Sequence, residues 1–127
     1  MNILLVDDNQ DYLLAMKEAL YSQGYTVFAA DDGEQAHQIM GAAQFDLIIS
    51  DIKMPRVDGI RLHQIVREMK KYAQTKFVFI SGYRDVYGER LELNPERDFF
   101  LDKTMAAGEI VKFIDKLIFG KYAEVWV

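Results

Sequence analysis

The stretch Leu47-Ile48-Ile49-Ser50-Asp51 constrains this chain more than any other. Three aliphatic residues run without a break and lead into a carboxylate. Met54-Pro55 and Asp58-Gly59 follow at once. A short continuous apolar run closed by turn residues suits a strand buried on both faces. Such a strand delivers its last side chain, Asp51, to the rim of a sheet. In open parallel α/β sheets the functional crevice lies beyond that carboxyl rim. By itself, a strand-end Asp caps a loop as readily as it performs chemistry.

The rest of the chain repeats the theme. Ile3 to Val6 reads as a buried strand cut off by Asp7-Asp8-Asn9. Tyr12, Leu13, Met16, Ala19 and Leu20 then follow at the spacing of one helical face, with Asn9 as N-cap and Gly24 as stop. Tyr25 to Ala30 is a second strand, and Asp31-Asp32-Gly33 a turn. Glu34 to about Ala43 reads as a helix with Ala36, Ile39 and Met40 inward. After the Asp51 strand, Gly59 opens a helix bearing Leu62, Ile65, Val66 and Met69 on one face. Lys76 to Ile80 is a fourth strand, ending in Ser81-Gly82. Arg84 to Leu93 is the poorest helix, interrupted by Gly88 and ended by Asn94-Pro95. Phe99 to Leu101 is a fifth strand, ending in Asp102-Lys103. Ile110, Phe113, Ile114, Leu117 and Ile118 mark the clearest helix, closed by Gly120.

Strands alternating with helices five times predict a parallel sheet with helices on both faces. With 127 residues the chain forms one domain, spanning 1–120, followed by a tail over 121–127. Tyr122, Val125, Trp126 and Val127 make that tail apolar, so it is expected to pack on the domain or on a second copy in a homodimer. A net charge of -5 argues against nucleic acid as the main partner. The absence of cysteine excludes disulfides, thiolate metal sites and cysteine nucleophiles. His37 and His63 are too few for a zinc site and read as surface residues. Arg61, Arg67, Lys70, Lys71 and Lys76 read as a solvated helix face. The N-terminus lacks the basic start and apolar length of a signal or membrane segment, which predicts no membrane partner and a cytoplasmic chain.

In a parallel sheet the strand ends point one way, so Asp7, Asp8, Asp51, Ser81 and Lys103 meet in one pocket. Three carboxylates crowded together repel and call for a cation. Oxygen ligands without nitrogen or sulfur favour Mg2+ or Mn2+ over zinc. A cation, a carboxylate nucleophile and an ammonium are the set needed to move a phosphoryl group onto an Asp.

On these features the chain resembles the receiver domain of two-component response regulators over nearly its full length, to about Gly120. The matching residues are Asp7-Asp8 after the first strand, Asp51 with Met54-Pro55 and Asp58-Gly59, Ser81 after the fourth strand and Lys103 after the fifth. The resemblance implies a flavodoxin-like three-layer α/β/α sandwich whose five-stranded parallel sheet has order 2-1-3-4-5. It implies a histidine kinase or phosphotransfer protein as phosphodonor, Mg2+ as cofactor, and a conformational switch on phosphorylation. By motif, Asp51 is then the phosphoacceptor. Asp8 binds the metal directly, Asp7 binds largely through water, and the Lys53 carbonyl is a further ligand. Lys103 pairs with a phosphoryl oxygen, Ser81 donates its hydroxyl to the phosphate, and Phe100 occupies the aromatic switch position. Lys53 and Tyr83, two residues after Asp51 and Ser81, flank the approach of hydrolytic water. Tyr83 is bulky and Lys53 long, which predicts a slowly hydrolysing aspartyl phosphate.

The chain departs from the family in having Lys103-Thr104 where many receivers have Lys-Pro, and Asn94-Pro95 where Gly-Ala is usual. A haloacid-dehalogenase-type hydrolase would need a second Asp where Lys53 stands, and a flavin-binding module would meet repulsion between Asp7-Asp8 and the phosphate. The remaining rival is a receiver-like scaffold that binds partners without being phosphorylated.

Overall fold

A computed structural model describes residues 1–82 and 93–120. Its order is β1 (Asn2–Val6), α1 (Gln10–Tyr21), β2 (Thr26–Ala30), α2 (Gly33–Ala42), β3 (Leu47–Asp51) and α3 (Gly59–Glu68). A 3-10 turn (Lys70–Tyr72), β4 (Lys76–Ser81), β5 (Asp98–Asp102) and α4 (Ala107–Phe119) complete it. The expected helix from Arg84 falls almost wholly outside the described residues, as do Tyr83 and the tail over 121–127.

The five strands are all parallel, in the order β2-β1-β3-β4-β5. β3 pairs on both sides and every one of its residues is buried, as its unbroken apolar run requires. Each face of the sheet carries its own core. Ile3, Leu5, Leu47, Ile49, Val78 and Ile80 pack against α1 and α4 on one face. Leu4, Val6, Ile48, Phe77 and Phe79 pack against α2 and α3 on the other. Alternate side chains of each central strand thus leave in opposite directions, which is how one apolar run supplies two cores.

Local chemistry sets the helix starts. Asn9, Asp32 and Asp58 each cap a helix by accepting the N–H of the third residue on, from Tyr12, Gln35 and Arg61. A Cβ on Gly59 would lie 2.1 Å from the Asp51 carbonyl oxygen, so only glycine lets α3 begin against the end of β3. The Gly59 N–H then donates to the Ile52 carbonyl at 2.7 Å. No peptide bond among the described residues is cis, so Lys103-Thr104 is trans.

Three expectations need correction. His63 does not lie on the surface: its side chain is 13% exposed, edge-on to Phe77, with Nε2 2.9 Å from Asp98. Arg67 is no solvated cation either. Its guanidinium is equally covered and donates to Asp98 and to the Tyr72 and Thr75 carbonyls at 2.9 and 2.7 Å. Both face inward because the register of α3 sets them beside Leu62 and Val66, over the start of β5. Lys76 opens β4 half-buried rather than lying on a helix face, whereas His37, Arg61, Lys70 and Lys71 are exposed, as expected.

Candidate functional site

The parallel topology brings the ends of β1, β3, β4 and β5 to one edge. At β1, the Asp7 N–H extends the ladder to the Ala30 carbonyl at 3.1 Å, which fixes the backbone where its side chain enters the pocket. Asp7 is only 1% exposed, and its Oδ1 accepts the Asn9 N–H at 2.8 Å. Asp8 is exposed. Asp51, 7% exposed, accepts the Ile52 N–H on Oδ1 at 2.8 Å, leaving Oδ2 to face the pocket. Carboxylate oxygens of Asp7, Asp8 and Asp51 all lie within 4.8 Å of one another, the one such cluster found among the described residues.

Lys103 reaches this group from β5. Its N–H continues the ladder to the Ser81 carbonyl at 3.2 Å. Asp102 then turns the chain, accepting the Thr104 N–H and hydroxyl at 2.8 Å each. The Lys103 ammonium bridges Asp7 Oδ2 at 2.8 Å and Asp51 Oδ2 at 3.2 Å. One ammonium is thus shared between two of the three clustered carboxylates.

The electrostatics follow from that imbalance. Burial, and next the Asp7 charge, push the Asp51 pKa above its ordinary value, and Lys103 offsets them only in part. Burial works against the Lys103 ammonium, but its bonds to Asp7 and Asp51 outweigh it and raise that pKa. Tyr12, at the first turn of α1, is pushed up to about 12 by burial and then by Asp7. A site with buried excess negative charge attracts a hard divalent cation, and its oxygen donors fit Mg2+.

The structure thus brings together Asp7, Asp8, Asp51 and Lys103. Ser81 ends β4 beside Lys103 and is fully buried. Phe100 lies partly buried on β5 with its ring stacked on Phe79, centroids 6.4 Å apart. Lys53 is exposed in the loop after β3. Tyr83 lies outside the described residues.

Sequence reasoning missed two residues around the site. Helical spacing places Tyr12 only on a face of α1, yet its ring lies under Lys103. Arg56 takes a left-handed backbone, with φ of 64°, and pairs with buried Asp32 at the start of α2. Beside that pair, a Cβ on Gly33 would come within 2.4 Å of the Val57 carbonyl. The loop after Asp51 is thereby fastened to α2. A polar residue in the Pro55–Asp58 turn was the available signal for Arg56.

The family model described as the response regulator receiver domain matches residues 3–115. The probable transcriptional regulator ycf29 of Porphyra purpurea is 33% identical over 119 residues, covering 93% of this chain and 56% of that protein. The response regulator receiver protein CpdR of Brucella abortus is 31% identical, covering 91% of this chain and 95% of its own length. The structure of the response regulator TrrA from Thermotoga maritima in complex with Mg2+-BeF is similar, with a TM-score of 0.78 and 28% identity. It covers 91% of this chain and 97% of that one. The chain spans little more than half the length of ycf29, about half of the response regulator MprA of Mycobacterium leprae and less than half of the aerobic respiration control protein ArcA of Escherichia coli.

Proposed function

The chain belongs to the response regulator receiver family of two-component signalling, and from that membership we propose that it accepts a phosphoryl group on Asp51. The observation that carries this reading is the Asp51 carboxylate itself. It is buried at the sheet edge with one oxygen tied to its own loop and the other turned toward Lys103.

Asp7, Asp8 and Asp51 would hold a Mg2+ ion, with the Lys53 carbonyl as a further ligand. Three clustered carboxylates against one lysine fit such an ion, and TrrA has been captured with Mg2+-BeF. Bound there, the ion supplies positive charge against the oxygens of the transferred group. The chain's own residues do the rest. Asp51 Oδ2 forms the new bond to phosphorus while the bond to the donor nitrogen of a kinase or phosphotransfer histidine breaks, its electron pair returning to the imidazole. Lys103 meets a phosphoryl oxygen, and the Ser81 hydroxyl donates to another. Phe100 repacks against the β4–β5 face as the signal leaves the site.

Lys53 and Tyr83 are proposed to shield the product from water, giving a long-lived aspartyl phosphate. Protein freed of donor should lose label faster in Tyr83→Ala, and an unchanged or slower decay would refute the shielding. The proposed function itself is tested by Mg2+-dependent labelling with a small acyl phosphate or phosphoramidate. Wild type should take up one phosphoryl group and Asp51→Ala none. A wild type that takes up none under saturating Mg2+ would leave the unphosphorylated scaffold as the reading. Asp8→Ala should sharply weaken Mg2+ affinity in a titration, because it removes an anionic ligand.

A further inference from the structure

Lys103 has a partner besides its two carboxylates. Tyr12 places its ring beneath the ammonium, with Nζ 4.7 Å from the ring centroid. That distance falls well inside the range at which a cation is attracted to an aromatic face, about 6 Å. The rest of Tyr12 packs on the core between sheet, α1 and α4. Its hydroxyl oxygen is buried and has no hydrogen-bond partner among the described residues. Core filling alone would be served better by a residue without that orphaned group.

The two ionic partners of Lys103, Asp7 and Asp51, are also two of the three carboxylates that gather at the pocket. Any cation seated among them competes with the ammonium for the same oxygens and repels it. A lysine side chain has a flexible four-carbon stem and no fixed geometry of its own. The ring face is an attraction that a cation at the carboxylates does not consume.

We propose that Tyr12 is a positioning residue for Lys103, its ring seating the ammonium so that it stays aimed at Asp51 while Asp7 and Asp51 are engaged elsewhere. This inference rests on the phosphoacceptor reading for its purpose, but its geometry stands without it.

The test reads the geometry and the purpose separately. In NMR of Mg2+-free, unphosphorylated protein, the Lys103 ε-methylene protons should be shifted upfield by the ring they sit over. The shift should persist in Tyr12→Phe and vanish in Tyr12→Leu. With Mg2+ and a small phosphodonor, Tyr12→Leu should label about three- to tenfold more slowly than wild type, and Tyr12→Phe should recover most of that loss. An ordinary Lys103 resonance in wild type would overturn the seat, and undiminished labelling by a folded Tyr12→Leu would overturn its positioning role. If Tyr12→Leu fails to fold, the wild-type resonance and its persistence in Tyr12→Phe decide. An upfield resonance in a protein that takes no label would uphold the seat and refute the phosphoacceptor reading instead.

Discussion

Two buried carboxylates sit at opposite edges of the same sheet and meet opposite fates. Asp51 ends β3 and is 7% exposed; Asp98 begins β5 and is 5% exposed. Burial pushes both pKa values upward. At Asp98 the Arg67 guanidinium, the Asn94 N–H and His63 outweigh burial, and the carboxyl is held below its ordinary range. At Asp51 the neighbouring Asp7 adds to burial, and Lys103 does not compensate. Burial therefore says little about what an acid does; the balance of charge around it decides. Asp98 accepts from α3 and from the turn before β5, and so ties α3, that turn and β5 together. Asp51 is left in surplus, which favours a positive ligand.

The largest expected effect comes from breaking the balanced edge. Asp98→Ala strands Arg67 in a covered position and removes the acceptor of the Asn94 N–H. It should destabilise the fold by about 3 kcal/mol, read as a lower urea midpoint. A loss under about 1 kcal/mol would mean that Arg67 is solvated readily and that the two edges differ less than their geometry indicates.

The second test reverses the sign. Because the folded Asp51 pKa is raised, its contribution to stability is present below the unfolded carboxylate range and lost as pH rises through the folded value. Asp51→Asn should thus stabilise the Mg2+-free protein by about 1 kcal/mol at pH 7, about 3–6 °C in Tm. The gain should fade toward about pH 3, below the unfolded carboxylate value of about 3.9, where the wild-type carboxyl is protonated in both states. Asp98 behaves oppositely. Its stabilisation is present above the unfolded range and is lost as pH falls through its depressed folded pKa. Urea titrations at pH 7 and about pH 3 on both variants check the pair. An Asp51→Asn protein less stable than wild type at pH 7 would show that the site is satisfied without a ligand.

What the sequence disclosed follows the same division. Strand ends are legible because a parallel sheet forces them to one edge, so Asp7, Asp8, Asp51, Ser81 and Lys103 could be placed from spacing alone. The strand order came through the family resemblance. Pairings between distant elements carry no such pattern. His63 and Arg67, four residues apart on α3, look like any polar face until Asp98 is set against them. Tyr12 reads as one more apolar position, since helical spacing does not tell which ring lies under a lysine 91 positions later in the chain.

The smallest effect is expected where a buried acid pairs with a cation that is itself in water. The Asp32 side chain is 3% exposed, but that of Arg56 is 64% exposed. The Asp32 pKa is lowered first by the Gln35 N–H that it caps, and only then by Arg56. Asp32→Asn keeps an acceptor for that N–H, because asparagine caps helices as well as aspartate does. The guanidinium left behind is already solvated, so nothing is stranded. The change should cost no more than about 0.5 kcal/mol, far below Asp98→Ala. Arg56→Gly should be nearly neutral, since glycine relieves the left-handed backbone as the pair is lost, whereas Arg56→Ala keeps that backbone at about 1 kcal/mol of strain. If Asp32→Asn instead proves as damaging as Asp98→Ala, exposure of the abandoned partner is not what separates costly from cheap ion pairs in this fold. The contrast between the two edges would then need another cause.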